Sequence, residues 1–155
     1  MITKLQLNNY YVEELVVREN PAFDAKARER KEGTLNCSVG IATANDKHNF
    51  FKLVLDVSVD PSSGYPSSDA YQVKVRVVGF FQADADLASG AAERMAAMNG
   101  TNVLLGIARG FVAQATGIGQ HGKYLLPLLN LQDLIKEKVT EPAGHEGRAV
   151  AQTKS

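Results

Sequence analysis

The chain of 155 residues carries 17 lysine and arginine residues against 17 aspartate and glutamate residues, so its formal net charge is zero. This length is typical of one domain, and the charge balance argues against a generic nucleic-acid binder, which needs a local excess of Lys and Arg. The single cysteine excludes an intramolecular disulfide, and no segment approaches the roughly 18 consecutive apolar residues of a membrane span. Because the sequence also shows no apolar signal segment, we predict a cytoplasmic protein with no nucleic-acid partner and no membrane insertion.

The first third of the sequence has the residue pattern of a long β-strand followed by a charged connection. Leu5 and Leu7 alternate with polar neighbours, and the run from Tyr10 to Val17 is rich in β-branched and aromatic residues. Pro21 ends this strand because proline has no backbone donor. The charged residues 22–32 that follow are predicted to form either an exposed loop or a short helical turn.

Three further strands are predicted, and each places its apolar residues on one face. The first runs from Thr34 to Ile41, the second covers residues 51–59 and the third covers residues 71–77. The turn-forming residues 60–69 separate the last two strands. Because loops rather than helices join these strands, the pattern favours an antiparallel meander with one apolar face and one wet face.

The second half of the sequence changes to helical periodicity. Residues 86–98 are rich in good helix formers, and Gly100 is predicted to end this helix. Thr101 or the residue after it then caps a second helix, which runs to about Ala115 and carries an apolar stripe. These features predict two separate helices.

Strands followed by helices imply an α+β fold, in which helices pack on one face of a four-stranded antiparallel sheet. We predict one domain over residues 1–139, whose last element is a short helix from Leu131 to Val139. A flexible tail at residues 140–155 is predicted to follow this domain. Gly106 and Gly110 lie four residues apart in the second helix. Small residues let another backbone approach closely, so we expect this helix to pack tightly on a neighbour.

No group of residues has the spacing of a catalytic, metal or cofactor site. Gly117, Gly119 and Gly122 match a dinucleotide-binding pattern, but that pattern needs a preceding strand, and here a helix precedes it. The histidines are scattered along the chain, and Cys37 alternates with apolar strand residues like a small buried hydrophobe. We therefore predict that the protein is not an enzyme and binds no cofactor and no metal.

Six short motifs occur in a fixed order along residues 4–138. They are Tyr11-Val-Glu-Glu-Leu15, Glu19-Asn-Pro21, Val78-Gly-Phe-Phe81, Asn102-Val-Leu-Leu-Gly-Ile-Ala-Arg109, Leu126-Pro127 and Asn130-Leu131. Each motif is short and degenerate, but in their order and spacing they resemble the SecB family of protein-export chaperones. The resemblance implies a four-stranded antiparallel sheet backed by helices. It also implies a homotetramer built as a dimer of dimers, with the long helix near the assembly interface.

The resemblance further implies an ATP-independent chaperone that holds unfolded or precursor polypeptides and delivers them to the SecA translocase motor. Long apolar grooves bind many sequences weakly, and wrapping a client over several grooves raises the avidity. Such a protein needs no nucleophile, metal or phosphate loop. The alternative is a protein that keeps the SecB fold but serves one dedicated partner, as chaperones attached to toxin–antitoxin systems do.

The resemblance also suggests which residues contact a client, although each of them could equally belong to the core or to an interface. The five candidates for the client-binding groove are Phe23, Ile107, Phe111, Tyr124 and Leu125. This chain has fewer aromatic residues in the groove than the family usually has. Ile107 and Gln132 occupy two positions that are often aromatic in the family.

In the family, acidic residues on the first and last strands dock the basic tail of SecA. Here the candidates for this docking are Glu14 and Glu19, whose matching depends on which motif is used to align the first strand. Arg18 and Lys74 stand where the family tends to have acids, and a lysine at that place would repel a basic tail. The family is also typically acidic, whereas this chain is neutral, which argues against docking to SecA.

Overall fold

The structure is a computed structural model that describes residues 4–44, 46–134 and 151–153. It has an α+β architecture in which one helical layer packs on an antiparallel sheet. The four long strands are β1 (Leu5–Glu19), β2 (Thr34–Ala44), β3 (Lys47–Asp60) and β4 (Tyr71–Ala83). The predicted fold class is therefore confirmed.

The sheet has the order β1-β4-β3-β2-β5, and neighbouring strands run antiparallel. Strands β2, β3 and β4 form the predicted meander, whereas β1 returns to the far edge and pairs with β4. The connection at residues 20–33 spans the sheet to make this possible, and it is a loop rather than a helical turn. The fifth strand, β5 (Ala151–Thr153), is short and pairs with β2.

The two faces of the sheet differ as the alternation of residues predicted. The inner face carries the core, in which Leu53, Leu55, Val75 and Val77 are fully buried. Charged side chains such as that of Lys74 lie on the outer face. Alternation with period two fixes this division, because successive side chains of a strand point to opposite faces.

The prediction of two helices separated at Gly100 is wrong. Helix α1 (Ser89–Met95) continues through a π-helical turn (Ala96–Gly100) into helix α2 (Thr101–Gly117). Gly100 has helical dihedral angles, φ −62° and ψ −45°. A Cβ atom there would lie 2.9 Å from Leu53 Cδ2, so the glycine lets the helix approach the sheet without breaking. Thr101 is buried inside the helical run and caps nothing.

Helix α2 buries a face that is rotated slightly from the predicted stripe. Leu104, Ala108 and Val112 are fully buried, whereas Ile107 and Phe111 are only partly buried beside them. The glycines of α2 contribute no close packing within the chain, because a Cβ atom at Gly106 or Gly110 would meet nothing within 4 Å. The predicted tight packing of α2 at these positions therefore stays a prediction, in which the neighbour is a second copy of the chain.

The chain after α2 has little regular structure among its described residues. Residues 122–130 have no regular secondary structure, and a helical turn follows at 131–134; the remainder of the predicted last helix, 135–139, lies outside the described residues. The predicted tail, 140–155, also lies outside the described residues, except for the three residues of β5. Within the described part of the chain, no helix is long and apolar enough to cross a membrane.

Candidate functional site

The chain turns back at the end of α2, and the buried hydroxyl group of Tyr71 holds this reversal. The hydroxyl donates a hydrogen bond to the carbonyl oxygen of Gly122 over 2.7 Å and accepts one from the backbone N–H of His121 over 3.2 Å. Gly122 has a φ of +76°, a conformation that suits glycine, and it completes the turn. The loop at 118–122 is thus tied to the first residue of β4.

A second buried hydroxyl, that of Thr116, connects the last turn of α2 to the segment that follows it. Its Oγ1 donates to the carbonyl oxygen of Val112 over 2.7 Å and accepts the backbone N–H of Tyr124 over 2.8 Å. A partly buried backbone donor is thereby satisfied in a segment that has no regular secondary structure. We refer to residues 118–129 as the strap, because these two hydroxyls hold them along the end of α2.

The strap exposes large apolar side chains. Ile118, Leu125 and Leu128 are 93%, 60% and 81% exposed, although Leu126 between them is buried in the core. Tyr124 is half-buried, and this desolvation, followed by the charge of Asp69, raises the pKa of its hydroxyl. The strap is therefore anchored through backbone atoms of His121, Gly122 and Tyr124, and it exposes apolar side chains to solvent.

An aromatic group adjoins the strap. The ring of Phe23 lies edge-on to that of His121, with 4.8 Å between the ring centroids, and His121 in turn lies 6.0 Å from Tyr71. Phe23 lies in the β1–β2 connection, where two backbone contacts position it. It forms an isolated β-bridge with Ser67, and its backbone N–H donates a hydrogen bond to the carbonyl oxygen of Asn20. Sequence reasoning missed His121, because its partners come from three distant parts of the chain.

The structure places the five groove candidates in two neighbourhoods. Phe23, Tyr124 and Leu125 lie at the C-terminal end of α2, where the strap and the β1–β2 connection meet. Ile107 and Phe111 lie one helical turn apart on α2, and Ile107 packs against the core. The structure therefore brings three of the candidates to one end of the helix, and it puts the other two on its flank.

Both candidate docking carboxylates have partners within the chain. Glu14 Oε1 lies 3.0 Å from Lys74 Nζ across the β1–β4 pair. Glu19 Oε1 accepts a hydrogen bond from the backbone N–H of Gln120 over 3.0 Å, at the start of the strap. Lys74 is thus no isolated positive charge, and one oxygen of each carboxylate is engaged within the chain.

The thiol of Cys37 lies in the core and is shielded from reaction. Burial, and secondarily the charge of Asp56, raises the pKa of the Cys37 thiol to about 12, so this cysteine is a poor nucleophile. Among the described residues, no three His, Cys, Asp or Glu side chains converge in a way that could hold a metal ion.

Comparison with known proteins identifies the fold. No protein-family model matches the chain, and a search of curated proteins finds no match. Among solved structures, the chain is similar to a SecB-like chaperone of Mycobacterium tuberculosis, solved in complex with a ChAD peptide from the HigA1 antitoxin. The TM-score is 0.56 at 14% identity, over 82% of this chain and 91% of that one. The chain has the SecB-like fold.

A second solved structure is more distant. It is a protein of unknown function from Streptococcus agalactiae, with a TM-score of 0.45 at 9% identity, over 83% of this chain and 100% of that one.

Proposed function

We propose that the protein is an ATP-independent chaperone that holds unfolded polypeptides in the cytoplasm. The observation that carries this proposal is the strap, which exposes Leu125 and Leu128 while the buried hydroxyls of Tyr71 and Thr116 hold its backbone. Large apolar side chains that are exposed this close together in the sequence are candidates for an interaction site. The similarity to a SecB-like chaperone supports the same conclusion at the level of the fold.

The physical basis is weak binding to apolar side chains that only an unfolded chain exposes. Because the strap is already ordered, little conformational entropy is lost on binding. A protein that binds the unfolded state preferentially delays folding by mass action, with no chemical energy source. No cofactor is needed for this action.

We propose that the working form is a homotetramer, a dimer of dimers, in which α2 contributes to an interface. In support of this, the exposed side of α2 carries Val103, Gly106 and Gly110, where another helix can approach the backbone closely. Replacing Gly106 with leucine should shift the mass measured by analytical ultracentrifugation towards smaller species. A Gln72→Leu variant, at an exposed residue of β4 outside this helix, serves as the control.

Light scattering of a chemically denatured client during refolding tests the holding function. The parent protein should suppress aggregation at one tetramer per client, and a Leu125→Glu/Leu128→Glu variant should lose most of this suppression. A Gln6→Glu/Gln72→Glu variant adds the same charge at exposed polar positions outside α2 and the strap and should retain it. Unchanged aggregation in the presence of the folded parent protein would contradict the proposal.

A second candidate function is service to one dedicated partner. Two observations favour it: the similar chaperone was solved with an antitoxin peptide, and Glu14 and Glu19 are both engaged within this chain. The engaged carboxylates argue against direct docking to SecA. If several unrelated denatured clients aggregate unchecked while the protein is folded and assembled, the dedicated-partner function is favoured over general holding.

A further inference from the structure

The two edges of the sheet are protected very differently. Strand β1 carries charged residues at Glu13, Glu14, Arg18 and Glu19, and its pairing with β4 is interrupted by two register shifts. Charges and bulges of this kind prevent an edge strand from pairing with other chains. The β1 edge therefore has the devices that keep a sheet edge closed.

Strand β2 lacks these devices over most of its length. Its 11 residues, Thr34 to Ala44, include no charged residue and no proline, and its register with β3 shifts only at the end, between Thr43 and Ala44. An uncharged, regular edge strand presents a row of backbone donors and acceptors that can pair with another strand. The β2 edge is thus open to strand addition unless something covers it.

A short segment of the same chain covers one end of this edge. In β5, Ala151 pairs with Cys37 and Thr153 pairs with Leu35, in antiparallel orientation. Among the described residues, nothing pairs with the same edge from Ser38 to Ala44. The edge therefore accepts an extended polypeptide at Leu35–Cys37, and no described residue pairs with the rest of it.

We propose that the β2 edge binds an extended segment of a client as an added antiparallel strand, and that Ala151–Thr153 is a resident competitor which the client displaces. This proposal rests on the proposed holding function, and it assigns a second contact to the client besides the strap. Backbone hydrogen bonds give affinity in this mode of binding with little dependence on sequence. That property suits a protein that holds many different chains.

The side chains along β2 define the kind of segment that fits. Leu35 and Ile41 lie on the inner face and are only partly buried, so apolar residues of an added strand would extend the core over them. Asn36 on the outer face donates to Asp60 Oδ2 over 3.1 Å, which keeps that face polar. The fitting client segment is therefore uncharged and alternates apolar and polar residues.

The resident segment is short enough to be displaced. It pairs with three residues of β2, whereas a client strand can pair with the whole of Thr34–Ala44. Each backbone hydrogen bond contributes a net stabilisation of about 1 kcal/mol, so the additional pairing of a longer strand offsets part of the entropy that association costs. The segment Ala151–Thr153 therefore occupies the edge when no client is present and leaves it when a client strand binds.

The test uses the full chain with Gln152→Pro, because proline removes a backbone donor and disfavours strand pairing. The matched control is Gln152→Ala, which keeps the backbone N–H. The probe is a fluorescein-labelled peptide of alternating valine and threonine with a lysine at each end, and its binding is measured by fluorescence anisotropy. A peptide in which proline replaces each valine is the non-pairing control.

We expect Gln152→Pro to bind the probe about fivefold more tightly than the parent, which corresponds to the loss of about 1 kcal/mol of competing pairing. Gln152→Ala should match the parent, and the proline-containing peptide should bind to neither. Ala42→Lys, at an exposed position of the uncovered part of β2, should weaken probe binding about fivefold, because an edge lysine disfavours strand addition. Gln72→Lys, on central strand β4, should not.

Equal probe binding by the parent, Gln152→Pro and Ala42→Lys would overturn the proposal. The aggregation assay with denatured client is run on the same variants. If the parent suppresses aggregation but the probe binds all variants equally, the edge proposal fails and the holding function stands. If the probe results are as expected but aggregation is not suppressed, the holding function fails and the edge is still shown to pair with strands.

Discussion

Lys74 and Glu14 form an ion pair across strands β1 and β4, with 3.0 Å between Nζ and Oε1. The pair joins one of the two candidate docking acids to a lysine that stands where the resemblance leads us to expect an acid. Both side chains are substantially exposed, at 59% and 40%, so the pair contributes little to stability. Its main consequence is electrostatic, because the positive charge of Lys74 partly offsets the negative charge that Glu14 presents to a basic ligand.

Replacing Lys74 with glutamate should therefore create an acidic patch at this place. We expect Lys74→Glu to bind purified SecA about fivefold more tightly than the parent at low salt, since the repulsive charge is lost and Glu14 is released. Raising the salt concentration should remove most of this gain. Lys52→Glu, an equal charge change at another exposed lysine of the sheet, is the control and should give a smaller gain. Tight binding of SecA by the parent itself would contradict this account.

Thr116 should be essential for the position of the strap. Thr116→Val keeps the size of the side chain but leaves the backbone N–H of Tyr124 without its acceptor. An unsatisfied buried donor costs about 1–3 kcal/mol, and we expect a loss of stability in this range by urea denaturation. Thr116→Ser keeps the hydroxyl and should recover most of the loss. Equal destabilisation by both variants would mean that packing, rather than the hydrogen bond, holds the strap.

Tyr71 offers a matched comparison with Tyr65. Tyr71→Phe removes a buried hydroxyl that bonds both His121 and Gly122, and it should lower stability by about 1–2 kcal/mol. It should also speed hydrogen exchange at residues 118–124. Tyr65→Phe removes an exposed hydroxyl that donates to Asp24 and should change stability very little. A similar loss in the two variants would contradict the role given to Tyr71.

The parts of the fold that depend on local pattern could be predicted from the sequence. Strand faces follow from alternation, which predicts that the apolar residues of each strand share one face, and Leu53, Leu55, Val75 and Val77 of this face are buried. The break at Gly100 was wrong because helix propensity is a local average. The helix continues there because its glycine fits against Leu53 and Phe81, and this contact is invisible in the sequence.

The candidate site could be predicted only in part, for the same reason. The resemblance to the SecB family supplies Leu125 and Phe23 as groove candidates, but the contact of Phe23 with His121 joins residues about a hundred positions apart. The ion pair of Lys74 depends on an irregularity in β1 between Val12 and Glu14, which sets the register of the two strands. Periodicity gives the face of a residue, but it gives neither its register nor its partner.

The reason given for the continuous helix can be tested at Gly100. A Cβ atom at this position would lie 2.9 Å from Leu53 and 3.4 Å from Phe81. We expect Gly100→Ala to lower the free energy of unfolding by about 1–3 kcal/mol, as overpacking of a core does. Gly90→Ala in α1 meets nothing within 4 Å and should instead stabilise the protein by up to about 1 kcal/mol through helix propensity. Thermal denaturation of the two variants in parallel measures both effects.

Cys37 should make the protein less stable at alkaline pH. The pKa of its thiol is about 12 in the folded chain, against an ordinary value of 9.0. Between these values the unfolded chain loses the thiol proton while the folded chain keeps it, so stability falls as the pH rises above the ordinary pKa. The fall is at most about 1.4 kcal/mol per pH unit.

Urea denaturation of the parent and of Cys37→Ala at pH 8 and pH 10 isolates this contribution. The cavity left by the alanine lowers stability equally at both values, whereas only the parent has a thiol to titrate. We therefore expect the stability difference between the two proteins to shrink at pH 10 by about 1 kcal/mol. The folded parent should also react slowly with iodoacetamide at pH 8, as followed by mass spectrometry, because the reactive thiolate is scarce and buried. Rapid modification without unfolding, or a difference independent of pH, would show that Cys37 is not buried as described.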